Sequence, residues 1–434
     1  MLRLMRLGVI FVSFFVMGFA GTRAQDLSAD IDTRLTAVMP KVIAWRRDIH
    51  QHPELGNLEV RTAKLVADHL RALGLEVTTG VAKTGVVGIL RGGRPGPVVA
   101  LRADMDGLPV KEMTDLPFKS QARSRYNGED VDVMHACGHD AHTAMLMGVA
   151  EIFSGMRAQL PGTVKFIFQP AEEGPPPGET GGAGDMVAAG VLENPKVDAI
   201  FGMHVMPMDS GTLWYRSGGI MASSDRLHIV VHGKQTHGAA PWGGVDPIAV
   251  SAEIINGLQT IVSRQIDITQ GPAIVTIGRI SGGIRYNIIP DRVVMDGTIR
   301  ALDPDVQKDL HARVRRTTQL IAQSQGAEAE VEIETTAPVT YNDPALTERM
   351  APTLRRVAGA SKTFIVQPTT LAEDFSKFQQ KVPGVYFYLG VNQAGADPLK
   401  VPRNHSPLFF VNEDALPVGV RAMANMAVDF LTKK

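Results

Sequence analysis

Three apolar runs, residues 98–101, 164–168 and 198–203, constrain this chain more than any other feature. Each is short and apolar enough to be a strand buried on both faces, and each hands over at its C-terminal end to residues that bind rather than pack. Arg102, Asp104 and Asp106 follow the first, Gln169-Pro170-Ala171-Glu172-Glu173 the second, and His204 ends the third. Helical periodicity alternates with these runs. Residues 30–50 carry Ile31, Leu35, Val38, Val42 and Trp45 on one face, residues 62–73 stop at Gly74, and residues 141–153 form an apolar helix. Strands that alternate with helices call for an α/β sheet covered on both faces, with functional groups at the carboxyl ends of its strands.

The stretch from His135 to His142 supplies the chemistry for such a site. It holds the only cysteine of 434 residues and three of the twelve histidines. Cys137 and His139, two residues apart across a glycine, can both reach one cation. A buried cysteine in a histidine-rich loop is the competing reading of this stretch taken alone. Glu172 and Glu173 matter for mechanism, because metal-assisted hydrolysis needs one carboxylate on the metal and a second one free to take a proton. Neighbours in a strand point to opposite faces, so both reach one site only if the chain turns beside Pro170. His204 at a strand end and His405 before Pro407 complete a set of five donors, enough for two cations with a shared bridging group. Imidazole and thiolate favour zinc-like metals over magnesium or calcium.

The period changes after the small residues of 217–224, which read as a hinge. Strand 226–232, helix 247–264, strands 273–280 and 292–300, helix 305–323 and strand 328–334 follow in the order β-α-β-β-α-β, the split ferredoxin-like pattern. Residues 222–336 are therefore expected to be an α+β domain inserted into a catalytic domain of residues 25–221 and 337–434. Strand 385–391 and a closing helix from 413 to 431 return to the first domain. About 150 residues per domain is compatible with this division.

Five segments carry a resemblance to a known family. Arg102-Ala103-Asp104-Met105-Asp106-Gly107-Leu108-Pro109, Cys137-Gly138-His139-Asp140-Ala141-His142, Gln169-Pro170-Ala171-Glu172-Glu173-Gly174, Gly202-Met203-His204 and Asn404-His405-Ser406-Pro407 resemble the metal-dependent amidohydrolases related to hippurate hydrolase, aminoacylases and plant auxin-conjugate hydrolases. The resemblance implies a dinuclear metallopeptidase-type catalytic domain, a mixed sheet flanked by helices, with an inserted lid that also makes a homodimer. It implies Cys137, His139, Glu173, His204 and His405 as ligands of two divalent ions per subunit, zinc first, with manganese, cobalt or nickel as alternatives. Glu172 becomes the general base, and His237 reaches the neighbouring subunit's site. Asn287 and Arg300 contact the substrate carboxylate, and Asp104 and Asp140 support the ligands without binding metal. The wider peptidase family opens with His-x-Asp, whereas this chain has Arg102-Ala103-Asp104.

Residues 1–24 stand apart. Arg3 and Arg6 precede an apolar run from 7 to 20, and Thr22 and Ala24 form a small-residue cleavage site, the pattern of a signal peptide. An uncleaved anchor is the alternative. Export places the protein in the periplasm or outside the cell, with no stable membrane insertion after processing. Forty-four basic against 45 acidic residues leave a net charge of -1 and no footprint for nucleic acid. The leading functional expectation is hydrolysis of the amide of small N-acyl amino acids by a metal-activated water. A dipeptidase or carboxypeptidase is the second reading, and an exported binding protein without turnover the third.

Overall fold

A computed structural model of the chain describes residues 17–269, 271–393, 395–397 and 400–432. Its centre is a mixed eight-stranded sheet, in the order Glu76–Val81, Gly85–Arg91, Pro161–Gln169, Arg94–Asp104, Ala199–Asp209, Gly384–Asn392, Leu213–Tyr215 and Thr363–Ile365. The four strands from Pro161–Gln169 to Gly384–Asn392 run parallel, and the flanking pairs with Gly85–Arg91 and Leu213–Tyr215 are antiparallel. Alternation of side chains across each strand sorts the core into two layers. Val99, Leu101, Phe166 and Phe201 pack under the helices Met17–Gln51, His139–Gly155, Pro344–Ala358 and Leu416–Thr432. Ala100, Ile167, Ile200 and Tyr386 face the opposite side, under the short helices Gly182–Ala188 and Ser376–Gln379. A sheet covered on both faces is what the apolar runs predicted.

The inserted domain has its own core, formed by Leu227, Ile229, Val231, Ile254, Leu258, Met295, Leu310 and Val314 with their neighbours. Its four strands are antiparallel in the order Ala273–Gly282, Arg292–Ala301, Ser224–His232 and Glu328–Ala337. Numbered within the domain this is 2-3-1-4, the arrangement of a ferredoxin-like sheet. Two helices cover one face, and both begin with an aspartate followed by proline. Asp246 caps Pro247–Arg264 and Asp303 caps Pro304–Ser324, each accepting from two backbone N–H groups.

Helix Pro344–Ala358, strand Leu213–Tyr215 and the edge strand Thr363–Ile365 have no counterpart in the sequence reading. The helix predicted over 30–50 runs from Met17 to Gln51. The first sixteen positions of the segment read as a leader lie outside the described residues. Among the described residues, no helix is long and apolar enough to cross a membrane.

Candidate metal centre

Backbone register brings the predicted donors to one edge of the sheet. Asp104 stands beside Gln169, Arg102 beside Gly202, and His204 beside Tyr388, so three strand ends lie level. At Gly138 the chain turns with φ 91°, and a Cβ there would come within 2.3 Å of Val205 Cγ2. Only glycine fits, and it sets Cys137 on one side of the turn and His139 at the start of a helix. Ala171, at φ 49°, and Gly174, at φ 108°, bend the chain sharply around the acidic pair. That bend is the turn the pair required. His405 is also left-handed, at φ 70°, held by its N–H donating to the Ala136 carbonyl at 2.8 Å.

The result is a single cluster. Donor atoms of Cys137, His139 and His204 lie within 4.8 Å of one another, as do those of Cys137, Glu173 and His405, and those of His139, Glu172 and Glu173. Cys137 Sγ is 3.3 Å from His204 Nε2, and His405 Nε2 is 2.9 Å from Glu173 Oε1. Glu172 Oε2 stands 3.9 Å from His139 Nε2. The two neighbouring acids thus serve different partners in one space.

Two imidazoles are aimed by their other nitrogen. His204 donates from Nδ1 to the Val205 carbonyl at 2.7 Å, and His139 Nδ1 lies 3.1 Å from Asp106. Each ring therefore presents Nε2 to the cluster, and the buried Nε2 of His139 has no hydrogen-bond partner among the described residues. His142, by contrast, uses both nitrogens, Nδ1 on Asp104 at 2.5 Å and Nε2 on the Val205 N–H at 2.8 Å, which leaves it nothing for a ligand.

Electrostatics describe a place built for positive charge. Burial opposes a proton on His139, yet Asp104 and Asp106 outweigh it and push its pKa up to about 10. Burial, reinforced by Glu173, Glu172 and Asp104, holds the Cys137 thiol well above its ordinary value. Burial and the nearby His142 hold His204 well below 6.5, hence neutral. A thiolate and three imidazoles are what a borderline divalent ion replaces protons on, and the five residues fit such an ion. Burial, Glu373, Glu173 and Asp374 raise Glu172 well above the carboxylate range, so it retains a proton readily once it has one.

The family model of peptidase family M20/M25/M40 matches residues 100–429. The chain belongs to this family. It is 43% identical over 412 residues to thermostable carboxypeptidase 1 of Saccharolobus solfataricus, covering 94% of this chain and 100% of the relative. It is 38% identical to N-acetylcysteine deacetylase of Bacillus subtilis, covering 89% and 96%. It is 39% identical to IAA-amino acid hydrolase ILR1-like 5 of Arabidopsis thaliana, covering 90% and 86%. Among solved structures, the YXEP protein of Bacillus subtilis, a dinuclear metal-binding peptidase of the M20 family, superposes with a TM-score of 0.75 at 36% identity, covering 91% of this chain and 99% of that one. A Staphylococcus aureus protein superposes with a TM-score of 0.85 at 33% identity, covering 93% and 100%. This M20 chain is accordingly a metal-dependent hydrolase of the amidohydrolase and peptidase kind.

The remaining site residues separate into those the M20 fold gathers and those it does not. Asp104 holds His142 and Arg102 and lies 3.9 Å from His139 Nε2. Asp140 requires a correction. Among the described residues it contacts none of the five donors and instead holds Arg46 Nε at 2.7 Å and His50 Nδ1 at 2.9 Å. Three supporting residues escaped the sequence reading of roles. Asp106 orients His139 and accepts the Glu173 N–H at 3.0 Å, Asn404 Nδ2 donates to the carbonyls of Cys137 and Val205, and Glu59 accepts the Ala171 N–H at 2.8 Å. Asp106 and Asn404 sat inside motifs and could have been found there. Glu59 carried no signal.

His237 and Asn287 share a two-stranded ribbon of the inserted domain, where Thr236–His237 pairs with Ile288–Ile289 and the Gly238 N–H donates to the Asn287 carbonyl at 2.9 Å. Asn287 Oδ1 is buried there without a hydrogen bond among the described residues. Arg300 lies at the other end of strand Arg292–Ala301, donating to the Ser223 carbonyl at 3.2 Å. Eight residues of extended chain, roughly 25 Å, separate the two ends. One protomer therefore does not bring Asn287 and Arg300 onto a single carboxylate.

Proposed function

We propose that the protein hydrolyses the amide bond of N-acyl amino acids, including hippurate-like and N-acetyl conjugates. The observation that carries this reading is the division of labour between adjacent acids: Glu173 faces His405 at 2.9 Å, while Glu172 turns to His139 at 3.9 Å. Two divalent ions, zinc before manganese, cobalt or nickel, would be held by Cys137, His139, Glu173, His204 and His405 and would supply Lewis acidity and an acidified water. Glu172 takes the water's proton and returns it to the leaving amine, a transfer that its raised proton affinity suits.

The inserted domain supplies the rest across a homodimer. Trp242, Ile284 and Tyr286, beside the His237 ribbon in sequence, are 85%, 95% and 94% exposed, an apolar surface that a second subunit would cover. His237 and Asn287 of one subunit then meet Arg300 of the other at one substrate, which accounts for their separation within a protomer. Arg300 binds the α-carboxylate in bidentate fashion, and His237 stabilises the oxyanion. Export through residues 1–24, to the periplasm or beyond, is part of the same reading.

A carboxypeptidase or dipeptidase reading is favoured by one specific observation, the 43% identity to a thermostable carboxypeptidase. Both use the same site and differ in the acyl pocket. A panel of N-benzoylglycine, N-acetyl amino acids, free dipeptides and amide-capped analogues, assayed with and without chelator, separates them. Equal catalytic efficiency on capped and free substrates would exclude the carboxylate contact.

A further inference from the structure

The segment from Thr369 to Phe375 joins parts of the molecule that the reaction needs to coordinate. The chain crosses into the inserted domain at Met221–Ser224 and returns near Thr340, and both crossings rest on this segment. Met221 bridges Thr369, and the Ala222 N–H donates to the carbonyls of Leu371 at 2.8 Å and Thr369 at 3.1 Å. On the return, Thr340 Oγ1 donates to the Glu373 carbonyl at 3.3 Å. The neighbouring residue Ser223 carries Arg300 on its own carbonyl.

In the other direction the same segment reaches the catalytic turn. Arg102, wholly buried, donates from Nη2 to Glu373 at 2.9 Å and Asp374 at 3.2 Å, from Nη1 to Asp104 at 2.5 Å, and from Nε to Gln169 at 2.8 Å. Asp374 also accepts from Gln169 Nε2 and from the Ala183 N–H, both at 2.7 Å. Glu373 also accepts from Tyr386 Oη at 2.6 Å and from the Phe375 N–H at 3.1 Å. Gln169 ends its strand three residues before Glu172, and carboxylate oxygens of Glu172, Glu373 and Asp374 lie within 4.8 Å of one another. A planar guanidinium shared by four partners cannot follow one of them without breaking bonds to the rest, and a buried charge left unpaired is costly. The segment, Gln169 and the turn after it therefore move together or not at all.

We propose that Glu373 and Asp374 are positioning residues that carry the setting of the domain hinge, through Arg102 and Gln169, to the turn bearing Glu172. The proposal rests on Glu172 as the proton-handling group. Movement of the inserted domain that brings Arg300 to substrate then also sets the carboxylate that moves the proton, so that the base is aligned only when the domain is placed.

Glu373→Gln and Asp374→Asn keep side-chain shape and remove one charge each. In the full-length metal-loaded protein, kcat for N-benzoylglycine falls 10- to 100-fold, KM stays within threefold, and metal content by elemental analysis equals wild type. Hydrogen exchange quickens both at 221–223 and at 171–174. Unchanged kcat, loss of activity in step with loss of metal, or faster exchange confined to 371–375 overturns the proposal. Thr340→Val, which touches only the hinge contact, is the second variant should the charge variants not fold, with kcat down about threefold and faster exchange at 171–174; no change at 171–174 is again a refutation. If wild type leaves N-benzoylglycine intact, the substrate reading fails, and the exchange experiment still decides the coupling.

Discussion

The two domains keep their chemistry in opposite ways. In the catalytic domain Cys137, His139 and His204 are buried, Glu173 is half-buried and His405 is exposed, and each is tied to the site by at least one further hydrogen bond or close contact. In the inserted domain His237 is exposed, its Nδ1 accepting the N–H of Ala239 two residues on, and Trp242, Ile284 and Tyr286 of the same domain's loops face solvent. The first arrangement completes a site within one chain. The second is what the proposed dimer would have to complete, so metal binding belongs to the catalytic half, and the inserted half bears on what substrate and a partner would add.

The largest expected effect comes from the catalytic half. Chelation removes activity altogether, and zinc, manganese, cobalt or nickel restores it; full activity in a metal-free preparation would sink the two-ion reading. Cys137→Ser weakens metal affinity, because a hydroxyl is a poorer ligand than a thiolate. Glu172→Gln lowers kcat by about 10²–10⁴ with metal retained. Should metal be lost from that variant and kept in Glu173→Gln, the two acids have exchanged roles.

The comparison sharpens with charge pairs. Arg46 and Asp140 are both buried, at 2.7 Å, so Arg46→Met leaves the Asp140 carboxylate with His50 as its remaining cationic partner and costs up to about 3–5 kcal/mol of stability in denaturant titration. Arg226 and Glu334 in the inserted domain are exposed, and Arg226→Met costs about 0–1 kcal/mol. Similar losses at both sites would erase the contrast drawn between the domains.

For the dimer, His237→Ala and Glu172→Gln chains, each inactive alone, are mixed and allowed to exchange. Half of the dimers are then hybrids with one intact site of two, so a quarter of wild-type activity returns. A fully active monomer in solution rules out the shared site.

The smallest effect concerns pH. Burial works against the charge on His50, but Asp140 and Glu112 outweigh it and raise its pKa above 6.5. A base raised on folding contributes stability that is full below its unfolded value and lost as pH rises through the folded one. The stability gap between wild type and His50→Gln therefore narrows as pH climbs from 6.5. A gap that widens over that range removes His50 from the buried charge network.

Much of this molecule was legible in the residue order because it depends on local periodicity. Apolar runs of strand length announced the covered sheet, the β-α-β-β-α-β order announced the inserted domain, and Cys137 with His139, and Glu172 with Glu173, sat close enough in sequence to read as a ligand pair and an acidic pair. His204 and His405 joined them only through context, one at the end of an apolar strand and one before Pro407, since a lone histidine carries no address. What only the folded chain decided were meetings between distant residues. Glu59 beside Ala171, Glu373 and Asp374 on Arg102, and Asp140 turned away to Arg46 are separated by 94 to 272 positions, except where Glu373 meets its own neighbours. No periodicity encodes such pairs: a buried charge takes its partner from whatever the packing of the sheet and helices brings within reach, and the role of Asp140 was misjudged because its neighbours in sequence are not its neighbours in space.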